Sequence, residues 1–381
     1  MAGVATKMLD SKKRVLAVDA LRGAAMLCIV GADSIALALK EMAGNSELTI
    51  AFAARFVGSQ FSHAHWDGFH FYDLIFPLFL FTVGLSIPLS LAKARTHGRR
   101  DQALMRILRR SAVLFLLGIA YNADLTQPWT EVRLVGVLQR IAICYLVAAT
   151  LYLYAPSRAV WYVTVGLVVS YALVLELLPS GQSGPYDPAM NLAIWVDAHW
   201  LPGKRHFGSW DPEGLLTTAP AITSCLIGVI TGRTLTEGET KPATRSHMFI
   251  GAGIILLAVS YVVSLQIPII KNLWTASYII IAGGWSLVLF GLTYRLMDVA
   301  GQIRWASACI WIGTNAILVY VLDGFIEFDR LILRLMGNET VAFLDRLTLP
   351  GTSRLMASIA GLGVMVAVAR ALYVRGLFLR L

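Results

Sequence analysis

His63-Ala64-His65-Trp66-Asp67-Gly68-Phe69-His70-Phe71-Tyr72-Asp73 runs without a break into Leu74-Ile75-Phe76-Pro77-Leu78-Phe79-Leu80-Phe81. Three histidines and two aspartates thus stand at the mouth of an apolar run that continues to Ala92. A run of about 20 apolar residues crosses a bilayer as a helix. Titratable groups at the mouth of such a span are expensive unless they are used. The stretch therefore predicts an all-α polytopic membrane protein, and it marks a candidate active centre that the other helices hold.

Composition agrees. Of the 381 residues 57% are hydrophobic and only 14% charged, with a mean hydropathy of +0.67. A soluble domain carries about 25% charge. Ten Trp and thirteen Tyr suit aromatic belts at the two interfaces. The formal charge of +9 is read as orienting the chain and meeting anionic lipid or a phosphorylated ligand, not nucleic acid. Cys28, Cys144, Cys225 and Cys309 lie inside apolar runs without paired spacing, which argues against disulfides and a structural zinc.

Ten spans are expected, near 17–39, 73–92, 111–123, 135–155, 159–178, 215–232, 248–267, 275–296, 305–326 and 353–373. The loop Lys93–Arg110 carries Lys93, Arg95, Arg99, Arg100, Arg106, Arg109 and Arg110 against Asp101 alone, so it is placed in the cytoplasm. An even count then puts both termini there: residues 1–16, basic through Lys7, Lys12, Lys13 and Arg14, and the end with Arg370, Arg375 and Arg380. The expected organisation is a single transmembrane domain over 1–381, with a long external loop at 179–214. Within that loop Asn191–Trp200 reads as a short amphipathic helix on the membrane surface. His63, His65, His70, His199 and His206 fall on the outer side.

Charges inside the spans add candidates. Asp19 and Arg22 share a helical face, and Asp33 follows on it about 16 Å further out. Arg140, beside Gln139 at the start of the fourth span, needs an acid or an anionic ligand, with Asp73 and Asp33 as candidate partners. Asp211 and Glu213 precede the sixth span, where helix capping and ligand contact are about equally good readings. Asn315 reads as an amide within the ninth span, as interhelical glue or a ligand contact.

The histidine stretch admits three chemistries. His63, Asp67 and His70 would share a face if helical, as metal ligands do, but Gly68 and the aromatics argue against a clean helix. A neutral histidine oriented by a carboxylate such as Asp73 would serve as a general base. The bland alternative is a wet loop anchored by Trp66, and it suits His65 and His70. No metal is expected.

At Arg14-Val15-Leu16-Ala17-Val18-Asp19-Ala20-Leu21-Arg22-Gly23 the chain resembles the heparan-alpha-glucosaminide N-acetyltransferase family of transmembrane acetyltransferases. The resemblance continues through His63–Gly68, Asp73–Pro77, Gly136–Arg140, Asp211–Gly214, Lys271–Trp274 and Asn315–Tyr320, in order. It implies transfer of an acetyl group from cytosolic acetyl-CoA, as co-substrate, to the amine of a terminal glucosamine across the membrane. His63 matches the family's essential histidine and Asp73 the acid ten residues on. Asp33 and Asp67 stand where family members carry Asn. The large luminal domain of the animal enzymes has no counterpart before the first motif. The expected acceptor is therefore a glucosamine, an amino-sugar oligomer or a cell-wall sugar rather than heparan sulfate, in a bacterial inner membrane.

The expected machinery is His63, Asp73 and Asp33 for catalysis, Arg22, Gln139, Arg140 and Asn315 toward the cofactor, and Asp211, Glu213 and Trp66 toward the sugar. Expected partners are acetyl-CoA, an amino sugar and the lipid bilayer, with room for a homodimer. The rivals are an amino-sugar transporter, which would release no CoA, and an O-acyltransferase of surface polysaccharide, which would take hydroxyl acceptors.

Overall fold

The computed structural model describes residues 14–44, 49–123, 128, 131–178 and 184–379. The basic residues Lys7, Lys12, Lys13 and Arg380, and the start of the long loop at 179–183, lie outside the described residues. In chain order the helices are α1 (Leu16–Ala43), α2 (Thr49–Gln60), α3 (Phe71–Thr96), α4 (Arg100–Asn122) and α5 (Val137–Tyr154). They continue with α6 (Ser157–Leu177), α7 (Leu192–Trp200), α8 (Leu215–Glu237), α9 (Pro242–Ser264) and α10 (Ala276–Tyr294). The last are α11 (Ser307–Gly313), α12 (Ala316–Ile326), α13 (Phe328–Met336), α14 (Asn338–Leu347) and α15 (Thr352–Arg375). Among the described residues there is no β-sheet, only the isolated bridges Asp67–Ile270 and Arg133–Gly203.

Among these residues eight helices are long and apolar enough to cross a membrane, or nine if the bent pair Arg304–Gly313 and Ala316–Met336 is one span. The chain is an all-α, multipass integral membrane protein. Length and composition thus support eight or nine of the ten expected spans. The run expected at 111–123 is the second half of α4, whose first half carries Arg106, Arg109 and Arg110. What remains is about 18 Å of apolar helix against a hydrocarbon core of about 30 Å. The run expected at 305–326 is broken, with a 73° bend between α11 and α12. With eight or nine candidate spans, parity does not assign the termini to a side. Asn315 sits at that break, as the N-cap of α12, rather than inside a continuous helix.

The chain divides into two compact units. The first contains Met1–His63, His70–Ile75 and Leu292–Arg380. In it α1 packs on α11 through small residues. A Cβ on Gly23 would lie 1.8 Å from the Cys309 carbonyl oxygen, and one on Gly313 1.8 Å from that of Asp19. Backbones this close are how helices associate where lipid removes the hydrophobic drive between them. The exposed N–H groups that begin α1 are met by a distant side chain: Leu16 and Ala17 donate to the two carboxylate oxygens of Asp298, each at 2.9 Å. Asp19 pairs with Arg14 at 2.6 Å.

The second unit contains Ala64–Phe69 and Phe76–Gly291. It uses the same device: a Cβ on Gly84 of α3 would lie 1.8 Å from the Cys225 carbonyl oxygen of α8, and one on Gly228 2.1 Å from that of Phe81. The turns from α3 to α4, α5 to α6 and α8 to α9 gather at one end, where Arg95 reaches both the Ala155 carbonyl and Glu237, each at 3.2 Å. That end carries Lys93, Arg95, Arg99, Arg100, Arg158, Lys241 and Arg245. The segment expected as a surface helix is α7, capped by the Asn191 side chain on the Ile194 N–H at 3.0 Å. It buries Leu192, Ala193, Ile194 and Asp197 while Trp195 and Trp200 stay exposed.

Candidate active site

Asp73 is the third residue of α3. Its Oδ2 accepts the His70 N–H at 2.9 Å, reaching back over the start of the helix as an acidic third residue does in a capping box. Its Oδ1 lies 2.7 Å from His63 Nδ1. The carboxylate is completely buried, while the His63 side chain is 47% exposed. An ionised carboxylate on Nδ1 fixes the proton there and leaves the lone pair on Nε2, the tautomer that a general base needs. The preceding residues form turns, not a helix. The face that would align His63, Asp67 and His70 therefore does not form.

Tyr72 extends the couple. Its ring lies against the His63 imidazole with centroids 4.6 Å apart, and its hydroxyl donates to Asp33 Oδ2 at 3.2 Å. The structure thus brings His63, Asp73 and Asp33 together within the first unit. Tyr72 is the joint, and no sequence argument singled it out. Its place directly before Asp73, on the first turn of an interfacial helix, was the available signal. His70 serves as a brace, with Nδ1 2.9 Å from the Ser62 carbonyl.

In the second unit Ala64–Phe69 is pinned by its own residues. Asp67 Oδ1 accepts the Ile269 N–H at 3.1 Å and Gly68 donates to the Ile269 carbonyl at 2.9 Å. Gly68 has φ 127, which only glycine adopts cheaply. Trp66 donates its indole N–H to the Tyr186 carbonyl at 2.8 Å and packs edge-on against Trp210. The turn that follows holds Trp274 at φ 51, a costly conformation for a bulky residue, with its side chain buried.

Asp211 and Glu213, expected near the sugar, are engaged by Arg133. Asp211 accepts Arg133 Nε at 2.7 Å and Nη2 at 2.6 Å, and Glu213 accepts Nη2 at 2.6 Å. Asp211 also accepts the N–H groups of His206 and Glu213, both at 3.0 Å. Burial alone would raise the Asp211 pKa, but the hydrogen bonds and charge of Arg133 outweigh it and hold the carboxyl below its usual range. Burial works to lower Arg133 in turn, and its two acids more than offset it. Asp197 caps the start of α8 by accepting the Leu215 N–H at 2.9 Å, and burial raises its pKa despite that bond. Arg133 escaped the sequence reading, although a lone arginine in a loop assigned outside runs against the positive-inside pattern and calls for a partner.

Arg140 is 2% exposed. Its partners are not Asp73 or Asp33, the candidates from sequence. Its Nη2 donates to Thr217 Oγ1 at 2.5 Å and to the Gly214 carbonyl at 3.4 Å, and its guanidinium lies 5.3 Å from the Trp274 ring centroid. Among the described residues, Nε and Nη1 of Arg140 and both amide atoms of Gln139 have no hydrogen-bond partner. Both side chains are buried in the second unit. Asn315 clamps the chain end: its amide donates to the Leu377 carbonyl and accepts the Leu379 N–H, both at 3.0 Å. Arg22 is half-buried on α1 in the first unit. No three His, Cys, Asp or Glu side chains converge as metal ligands among the described residues.

The fold and this couple define a class: a polytopic all-α membrane protein with a carboxylate-oriented histidine at the start of a span. Sequence comparison adds what the chain is similar to. A family model described as "Domain of unknown function (DUF5009)" matches residues 14–174. The chain is 27% identical over 331 residues to the heparan-alpha-glucosaminide N-acetyltransferase of Mus musculus, covering 71% of this chain and 50% of that protein. It is 28% identical over 319 residues to the one of Homo sapiens, covering 68% of this chain and 48% of that protein. The chain spans about half the length of the curated relatives it matches.

Proposed function

We propose that this protein is a transmembrane N-acetyltransferase that moves an acetyl group from cytosolic acetyl-CoA to the amine of a glucosamine-type sugar on the outer side. The His63–Asp73 couple is the observation that carries the reading: a half-exposed imidazole held at 2.7 Å by a fully buried carboxylate. Its similarity to two N-acetyltransferases supports it.

In this reading His63 Nε2 takes a proton from the sugar ammonium. The freed nitrogen lone pair attacks the thioester carbonyl to form the C–N bond, the C–S bond breaks, and the proton that the nitrogen then gives up passes to the departing CoA thiolate. Asp73 keeps the ring in register and stabilises the imidazolium. Asp33, held by Tyr72, faces the incoming ammonium. Arg140 and Gln139, buried with unpartnered polar atoms, are the groups best suited to an anionic or carbonyl-rich portion of the donor. Arg22, half-buried on α1, is a candidate for its phosphates. Asp211 and Trp66 act on the sugar by holding the loop, since Arg133 and the Tyr186 carbonyl engage them, and Glu213, which gives one oxygen to Arg133, stays a candidate sugar contact. Asn315 is kept for the chain end.

The test is CoA release by the detergent-purified protein given acetyl-CoA with glucosamine, beside a hydroxyl-only sugar. Release with the amine alone supports the reading. No release, with sugar flux in vesicles, would make the protein a transporter.

A further inference from the structure

At the basic end of the second unit lies a cavity of about 290 Å³, lined by Ser157, Trp161, Ile230, Arg233, Thr234, Glu237 and Gly238. Arg233 is 7% exposed, and its Nη1 is buried without a hydrogen-bond partner among the described residues. Its Nε lies 3.3 Å from the Glu237 carboxylate, which Arg95 also reaches at 3.2 Å. Both guanidiniums lie over the Tyr152 ring, at 5.1 and 5.2 Å from its centroid. Two arginines thus share one carboxylate and one aromatic face, leaving a positive charge in excess. The first turn of α6 opens into the same cavity at Ser157. Its N-cap is Pro156, which offers no side-chain cap, so Ser157 and Arg158 begin the helix without one, while the Ala159 N–H donates to the Pro156 carbonyl at 3.0 Å.

We infer that this cavity binds the phosphate of an anionic phospholipid headgroup. A buried guanidinium with an unpartnered N–H, the Ser157 hydroxyl and a helix N-terminus are the donors a phosphate takes. The choice of lipid rests on where the cavity opens. Trp161 is 56% and Tyr162 75% exposed on α6, followed by exposed Val165, Val169 and Leu173. This is the face of a peripheral span with aromatic residues at headgroup level. Basic pockets between spans are where anionic headgroups bind. Glu237 lies on the cavity wall, but it is already shared by Arg95 and Arg233 and does not reverse the local sign. The inference is independent of the acetyl-transfer reading.

The test is native mass spectrometry of the full chain in detergent, titrated with phosphatidylglycerol, cardiolipin or phosphatidylcholine, with and without CoA. The anionic lipids should be retained about fivefold or more over phosphatidylcholine. Arg233→Gln and Ser157→Glu should each abolish that preference. Ser157→Glu decides the matter if Arg233→Gln fails to fold, since an acid at a helix start favours the helix while repelling a phosphate. Equal retention of all three lipids, or a preference that survives both variants, overturns the inference. Displacement of the anionic lipid by CoA also overturns it, because the pocket's phosphate would then be that of a soluble nucleotide.

Discussion

The molecule holds two ionic clusters of similar ingredients and opposite character. In the first unit the buried carboxylate of Asp73 holds His63 and the His70 N–H, and the histidine stays half exposed. In the second, Arg133 is gripped by two acids, and Asp211 alone accepts four hydrogen bonds from Arg133, His206 and Glu213. A saturated cluster has nothing left to exchange with a ligand, so it holds shape. The first cluster instead sets a half-exposed imidazole on a buried carboxylate, the arrangement that the proposed proton transfer would use. Residue type does not separate the two. The exposure of the imidazole does.

The comparison breaks first at His63. His63→Ala should lower acetyl transfer by about 10³-fold, with an unchanged elution profile and melting temperature. Near-normal turnover would remove the couple from the chemistry. Asp73→Asn keeps size and the backbone bond to His70 but lets the imidazole choose the wrong tautomer, so kcat should fall about 10²-fold with KM little changed.

The second cluster should respond in stability instead. Arg133→Gln leaves a buried Asp211 without its counter-charge, at a cost of about 3 kcal/mol. Faster limited proteolysis within 184–214 would report it. Acid should do the same more gently. Asp211 is held below the usual carboxylate range, so the stability it contributes is present above the unfolded-state pKa and is lost as pH falls through its folded value. Trp210 fluorescence followed downward from pH 5 should show the loop loosening in the wild type, and the transition should vanish in Asp211→Asn. The smallest effect is expected at His70→Ala, about 1 kcal/mol of stability from the lost bond to Ser62, with activity changed less than tenfold. A dead His70→Ala would mean that the brace is part of the proton path.

Much of this was legible before any coordinates. Apolar run length located nearly every span, because a bilayer imposes a length that a sequence must meet. The His63–Asp73 pairing was legible because the two residues are close in sequence and the helix between them could start in only one place. What was hidden depends on distant partners. The α1 start is capped by Asp298, 282 residues away. Arg140 looked short of an acid but settled on a hydroxyl, a carbonyl and an indole face. The break at Asn315 was missed because its side chain closes onto the far end of the chain, which no local pattern records.

Asp73 has a double attachment, one oxygen to the first turn of its helix and the other to His63. This carries a meaning for how the protein is made. The histidine leaves the ribosome ten residues ahead of its partner, so the couple closes only once the first turn of α3 has wound. The pairing thus reports that the helix start is in place, and a chain in which α3 has not wound lacks it.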